Sequence, residues 1–224
     1  MLFLCDESTD YKIKIIGTIS ISDKSFLEFE NYALEQRIKH KVFGEIKWQK
    51  VGCYGKYFDF YVDLVRKLFT FPEVRFHSNS FEGHQYRAGY ALLKSVIWKL
   101  QNAHIYTDIL ILYDKSNSSE IKTMKDYLRK DREIKRKVEI CEEIKSETFV
   151  TLGVVDILAG CTSFVLNKVA ETTKSESNIV KADFVSRLEN EVNNGIPFGV
   201  SISKLWNYKS ENLFQNFALN SYSR

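Results

Sequence analysis

Proline is scarce in this sequence, with Pro72 and Pro197 the only two in 224 residues, so no proline-rich linker divides the chain. The sequence also contains no internal repeat and no low-complexity tract. A chain of this length can bury a sizeable core, and an apolar fraction of 44% is typical of a globular protein. We therefore expect one domain over residues 1–224, with a C-terminal elaboration that begins at about residue 172.

Cysteines are few, and none forms a C-x-x-C pair: Cys5, Cys53, Cys141 and Cys161. Disulfide-stabilised proteins are smaller and denser in cysteine, so this pattern favours a reducing compartment. Long apolar runs are absent too, because no uncharged stretch approaches the roughly 20 residues of a membrane-spanning helix. The N-terminus lacks the basic segment of a secretion signal. We expect a cytoplasmic protein with no membrane partner.

Three widespread enzyme motifs are missing. The sequence has no G-x-x-x-x-G-K-[ST] loop, no G-x-G-x-x-G fingerprint and no G-x-S-x-G elbow. The corresponding nucleotide hydrolases, dehydrogenases and serine hydrolases therefore lack support. The net charge of +3 is also too small to demonstrate a polyanionic partner.

The hydrophobic pattern predicts a hairpin followed by alternating helices and strands. Leu2–Asp6 is a short apolar run, and isoleucines alternate with polar residues over 12–22, which indicates two paired strands. Further strands are expected over 74–77, 107–113, 138–141 and 198–205, and helices over 25–41, 57–71, 86–100, 117–128, 148–169 and 182–192. A capping box at Ser25 is expected to start the first helix. This order predicts a three-layer α/β domain with a mixed central sheet.

The most informative stretch is the apolar helix expected over residues 148–169. Thr148 or Thr151 is predicted to cap its start. Asp156 lies within the apolar run, and a buried carboxylate without a partner costs several kcal/mol in practice. It therefore needs a basic side chain, hydrogen-bond donors or a metal ion. Ala159 and Gly160 lack bulk, which predicts that another backbone approaches the helix closely here.

Two predicted strands end in aspartate, at Asp6 and Asp114. Ligands gather at the carboxyl ends of strands in open α/β sheets, and Mg²⁺ prefers oxygen ligands. Asp6, Asp114 and Asp156 would form such a site if adjacent, with Glu45 as a fourth ligand. Each has an alternative interpretation: Asp114 as a turn residue or cap, Asp156 as a structural ion-pair partner, and Glu45 as a surface pair with Lys47.

Four short motifs together resemble the DUF3800 family, a group with a ribonuclease H-like fold. They fall in the family's order over residues 1–165 and are Asp6-Glu-Ser, Glu45-Ile-Lys47-Trp, the strand-ending Asp114 and Val155-Asp156-Ile-Leu-Ala-Gly160. The sequence departs from the family at Thr9, where glycine is usual. It departs again at residues 153–155, where Gly-Val-Val replaces the usual Gln and Ala before the helical aspartate.

The resemblance implies a ribonuclease H-like sheet that carries the acidic cluster of a metal-dependent nuclease. By match of motif, Asp6, Glu45, Asp114 and Asp156 are the expected catalytic residues and ligands of Mg²⁺ or Mn²⁺, with two ions expected. The implied activity is phosphodiester hydrolysis of nucleic acid, DNA or RNA. The alternative is a non-catalytic nucleic-acid-binding or interaction protein that retains the fold.

Basic residues form two clusters that could follow a phosphate backbone. The first precedes Glu45 and contains Arg37, Lys39 and Lys41, with Lys47 just after it; the second spans residues 129–137. Both could instead be solvated helix ends, where cations are favourable. Lys47 could steady phosphate charge or be neutralised by Glu45. His77 and His84 are expected to flank a polar loop.

Overall fold

The computed structural model describes residues 1–81, 85–102, 108–114, 119–134, 138–145, 147–192, 195, 198 and 217–221. Its strands are β1 (Leu2–Ser8), β2 (Lys14–Ile21), β3 (Arg75–Phe81), β4 (Ile109–Asp114), β5 (Val138–Ile144) and β6 (Phe217–Ser221). Its helices are α1 (Asp23–His40), α2 (Lys56–Leu68), α3 (Gln85–Asn102), α4 (Ser119–Lys130), α5 (Val150–Leu166), α6 (Val169–Thr172) and α7 (Glu176–Glu191). A short 3-10 helix covers Trp48–Gly52.

The six strands form one mixed sheet in the order β5-β4-β1-β2-β3-β6. β2 pairs antiparallel with β1 and with β3, whereas β4 is parallel to β1 and β5 is parallel to β4. β6 adds to the far edge, parallel to β3. The expected α/β class, mixed sheet and N-terminal hairpin are thus confirmed. Because β1 and β4 are parallel neighbours, their carboxyl ends lie side by side.

Helices cover both faces of the sheet, because strand residues alternate between two apolar clusters. Phe3 and Cys5 of β1 pack in a cluster with residues of α3 and α4. Leu2 and Leu4 belong to a larger cluster formed with α1, α2, α5 and α7. This alternation places Asp6, which follows Leu4 by two residues, on the α5 face. Asp114 follows Leu112 of the same cluster in the same way.

Helix α5 is buried over nearly its whole length. It packs closely on β2 at Gly17, where a Cβ atom would lie 3.4 Å from the Cβ of Ala159. The expected cap was wrong, since the N-cap residue is Phe149 and its side chain makes no capping bond. Instead, Glu30 of α1 accepts hydrogen bonds from the N–H groups of Val150 and Thr151 at 3.0 and 2.8 Å. A carboxylate is a strong acceptor at the positive end of a helix, so it takes over the cap.

Several element boundaries differ from the sequence prediction. The N-cap of α1 is Ser22 rather than Ser25, whose N–H it accepts at 3.2 Å. β3 runs through the segment after His77 that was expected to be a loop, because pairing with β2 gives its polar residues backbone partners. Residues 117–118 of the helix predicted at 117–128, His84, and all of the strand predicted at 198–205 except Phe198 lie outside the described residues.

Helix α7 packs on the 3-10 helix and on α2. The ring of Phe184 lies 6.4 Å from the ring of Trp48 and 5.3 Å from that of Phe58, measured between centroids. Residues of the expected C-terminal elaboration therefore join the large apolar cluster of the α5 face. Within the described ranges, no helix combines the length and the apolar character needed to cross a bilayer.

Candidate active site

Three aspartates from three separate elements line one cleft of about 230 Å³. β1 and β4 are paired in register at Cys5 and Tyr113, so the next residues along, Asp6 and Asp114, lie at adjoining strand ends. Asp156 reaches the same cleft from α5, which packs across the sheet. The structure thus brings together three of the four acidic residues that the sequence selects.

Asp156 is held by a backbone donor. Its Oδ2 accepts a hydrogen bond from the N–H of Trp48 at 2.6 Å. Among the residues that the structure describes, no Lys or Arg lies within ion-pair distance of it. The interpretation of Asp156 as a structural ion-pair partner is therefore not supported. Its negative charge is matched only in part, by one N–H and by the more distant ammonium of Lys47.

The carboxylates of the cleft raise one another's pKa. Burial is the largest cause for Asp6, whose pKa is raised well above its ordinary value, and the charges of Asp156 and Asp114 add to it. Burial likewise raises the pKa of Asp156 to about 6, with Asp10 and Asp114 adding to the effect and the Trp48 N–H and Lys47 opposing it. Like charges in a poorly solvated cleft repel, so a bound cation would be favoured there.

Two glycines let the chain approach α5 where Asp156 needs its donor. Gly153 and Gly160 lie three residues before and four residues after Asp156, each about one turn away on the same side of the helix. A Cβ atom on Gly153 would lie 2.8 Å from the carbonyl oxygen of Ile46, and one on Gly160 would overlap the Trp48 ring. The predicted close approach at Gly160 is confirmed, although a ring rather than a backbone fills the space. The glycines thus allow the Trp48 N–H to reach Asp156.

Glu45 is engaged by Lys47, and Lys47 in turn lines the cleft. The Oε1 of Glu45 lies 2.9 Å from the Nζ of Lys47. This hydrogen bond is the main reason that the pKa of Lys47 is raised, and the charges of Asp156 and Asp114 raise it further. The ion-pair interpretation therefore describes Glu45 in this structure. Lys47 connects Glu45 electrostatically to the aspartates.

The cleft is also lined by residues that the sequence reasoning did not select as site residues. They are Glu7, Ser8, Thr9, Asp10 and Gln49. Asp10 is the most consequential, because its charge raises the pKa of Asp156. It lies in the turn between β1 and β2, where no periodicity fixes the direction of a side chain. The signal was the third acid in the run Asp6-Glu-Ser-Thr-Asp10.

The first basic cluster lies at the C-terminal end of α1 and supports the loop before the 3-10 helix. A guanidinium nitrogen of Arg37 donates to the carbonyl oxygen of Gly44 at 2.7 Å, and Lys50 donates to that of Glu45 at 2.6 Å. Lys41 is the C-cap residue, with a φ of 54°, and Lys39 is exposed. None of these four is among the described residues that line the cleft. Of the second cluster, residues 135–137 lie outside the described part.

The donor set of the cleft suits a hard dication, because Asp6, Asp114 and Asp156 supply carboxylate oxygens from three rigid elements. In the side-chain arrangement described, no three His, Cys, Asp or Glu residues stand in ready metal-binding geometry. Comparison with known proteins assigns no family: no family model matches the chain, and a search of curated proteins found no significant match.

Proposed function

We propose that the protein is a metal-dependent nuclease that hydrolyses phosphodiester bonds at the cleft formed by Asp6, Asp114 and Asp156. The observation that carries the proposal is the convergence of three aspartates from β1, β4 and α5 in one cleft, where the pKa values of Asp6 and Asp156 are raised. Perturbed carboxylates in a cleft are a frequent mark of functional sites. A purely structural role would instead be expected to give Asp156 a basic partner.

The resemblance to the DUF3800 family supports the same proposal, since three of its four acidic motif residues, Asp6, Asp114 and Asp156, line this cleft. The mixed sheet, with an antiparallel N-terminal half and parallel strands joined through helices, supports the ribonuclease H-like part of it. The scattered cysteines support a cytoplasmic setting.

The aspartates would hold one or two Mg²⁺ or Mn²⁺ ions, which when bound supply Lewis acidity and an activated water. The protein itself contributes the positions of the oxygen donors. Asp6 and Asp114 are fixed by strand pairing, and Asp156 is fixed by the packing of α5 and by the Trp48 N–H. We propose that Glu45 would leave its ion pair with Lys47 and serve as a fourth metal ligand. Lys47 would then be available to contact phosphate. Arg37, Lys39 and Lys41 would bind the nucleic-acid backbone away from the cleft.

The second candidate is a nucleic-acid-binding protein without catalysis. The ion pair between Glu45 and Lys47 favours it, because it occupies one of the four predicted ligands. Binding alone does not need carboxylates facing a polyanion, so the three aspartates of the cleft favour the nuclease.

The test is cleavage of a panel of labelled single- and double-stranded DNA and RNA. We expect the purified protein to cut at least one member with Mg²⁺ or Mn²⁺ and none in EDTA. Asp6→Asn and Asp156→Asn, which are nearly isosteric changes, should lower the cleavage rate at least about 100-fold because donor charge is lost. Intact panels with both metals, or variants that cut like the parent, would refute the nuclease and leave the binding protein.

A further inference from the structure

Lys181 of α7 lies over Trp48, and the charges of two residues of the cleft, Asp10 and Asp156, act on it. Its Nζ is 4.9 Å from the centroid of the Trp48 ring, which is a cation–π distance. The side chain is half-buried. The N–H of Trp48 donates to Asp156, so Lys181 and Asp156 both contact Trp48, one at its ring and the other at its backbone.

The surroundings of Lys181 contain acidic charge but no direct partner. In the part of the chain that the structure describes, its ammonium makes neither a hydrogen bond nor an ion pair. Burial lowers its pKa, whereas the nearby charges of Asp10 and Asp156 favour its protonated form. An ammonium has three donors, and removing them from water without partners is unfavourable. Lys181 therefore has donors that an incoming anion could satisfy.

The comparison with Lys47 indicates which lysine is ready for a ligand. Lys47 lines the cleft, but its Nζ is engaged at 2.9 Å by Glu45. Lys181 is held over the Trp48 ring instead. The negative charge of Asp10, a residue of the cleft, acts on its ammonium. A side chain that is already restricted loses less entropy when it binds.

We propose that Lys181 contacts a backbone phosphate of the bound nucleic acid, adjacent to the phosphate at the aspartates. This inference rests on the proposed function and adds α7 to its substrate-binding surface. A phosphate contact by a lysine supplies affinity and register rather than sequence selectivity. The alternative is that Lys181 only covers the Trp48 ring as a structural cation.

The experiment compares Lys181→Gln and Lys181→Arg with Lys174→Gln, a matched control in the exposed loop before α7. Binding of the labelled oligonucleotide panel is measured in EDTA over a range of salt, beside cleavage with Mg²⁺ and a thermal melt. Lys181→Gln should reduce the slope of log K against log[salt] by about 0.7–0.9, the value for one phosphate contact. Its KM should rise about 3- to 10-fold with kcat little changed.

Lys181→Arg should retain the parent slope, and so should Lys174→Gln. A parental slope in Lys181→Gln, or an equal loss in the control, would overturn the inference while cleavage by the parent still supports the nuclease.

A parent that binds but does not cut would refute the nuclease, whereas the slope would still decide the role of Lys181. If Lys181→Gln fails to fold, Lys181→Met, which also removes the charge but keeps an apolar stem over the Trp48 ring, replaces it: a slope reduced by about 0.7–0.9 supports the contact, and an unaltered slope overturns it. A parent that binds no member of the panel overturns both.

Discussion

Two little-exposed aspartates on opposite faces of the sheet differ in the hydrogen-bond donors and cations that surround their carboxylates. Asp131, just after α4, has a side chain that is 7% exposed. It accepts hydrogen bonds from the Tyr90 hydroxyl at 2.5 Å and from the Glu133 N–H at 2.9 Å, and the Lys94 ammonium lies 2.9 Å away. Asp156, on the other face, has one N–H donor and no such cation in the described part of the chain.

The two pKa values move in opposite directions as a result. Burial raises both, but the hydrogen bonds from Tyr90, Lys94 and Glu133 bring the pKa of Asp131 below its ordinary value. The pKa of Asp156 is raised to about 6, chiefly by burial. Burial alone therefore does not mark a functional acid. The number and charge of the donors decide whether a buried carboxylate stabilises the fold or remains available to a ligand.

The largest expected effect separates activity from stability. Asp156→Asn should lower metal-dependent cleavage about 100-fold or more, because a charged donor is lost where charge develops. Asp131→Asn should leave cleavage near the parent rate but lower the free energy of unfolding by about 1–2 kcal/mol, since Tyr90 and Lys94 lose a charged acceptor. Cleavage assays and urea unfolding of both variants measure the two quantities. Loss of cleavage in a folded Asp131→Asn protein would contradict the comparison.

A second, smaller effect concerns metal and thermal stability. A cation that binds only the folded protein stabilises it by RT ln(1 + [L]/Kd), which is about 1.4 kcal/mol at tenfold excess over Kd. Mg²⁺ or Mn²⁺ should therefore raise the melting temperature of the parent and of Asp131→Asn by a few degrees.

The corresponding control is Asp156→Asn, in which the metal-induced shift should be weaker. Thermal melts over millimolar metal, each paired with an EDTA sample, provide the measurement. Equal shifts in the parent and in Asp156→Asn would place the bound cation elsewhere.

The smallest effect is a difference in pH dependence without metal. Asp156 titrates near 3.9 in an unfolded chain and at about 6 in the folded protein, so the folded state binds more protons between these values. Its stabilising contribution is thus fully present below about pH 4 and is lost as the pH rises towards 6. Asp131 has the opposite sign, because its lowered pKa gives stability that is lost as the pH falls through the folded value.

Urea unfolding in EDTA between pH 4 and 7 tests these signs. Relative to the parent, Asp156→Asn should gain stability as the pH rises through this range. Asp131→Asn should instead remain behind the parent by a nearly constant margin above about pH 5, because the carboxylate is ionised there in both states. Parallel stability curves for the parent and Asp156→Asn would show that the carboxylate is not perturbed.

The sequence predicted the α/β class, the hairpin and most elements because their hydrophobic periods are strong. It also selected Asp6, Asp114 and Asp156, since an acid at a strand end or in an apolar helix is conspicuous. It did not predict β6, whose assignment depends on pairing with β3 across the sheet. The cap on α5 was missed because Glu30 is 120 residues away in the chain.

The sequence pattern did not predict the directions and contacts of the side chains at the surface of the site. The direction of Asp10 depends on a turn, and the contact of Lys181 with Trp48 depends on how α7 packs. Neither follows from local spacing. The sequence could not predict the ion pair of Glu45 with Lys47 either, because it depends on the side-chain rotamers of two loop residues. Residues on rigid elements were therefore predicted better than those on loops.

The parallel pairing of β1 with β4 also has a consequence for the order of folding. The β1–β2 hairpin can form locally, whereas Leu2 and Leu110 must close a far longer loop before Asp6 and Asp114 become neighbours. Long-range pairings of this kind are slow to form. The chain thus encounters the mutual repulsion of its aspartates only near the end of folding, after the hairpin and local helices have formed. The strain of the acidic cleft should then act mainly on the rate at which the finished protein opens, and little on the rate at which it assembles.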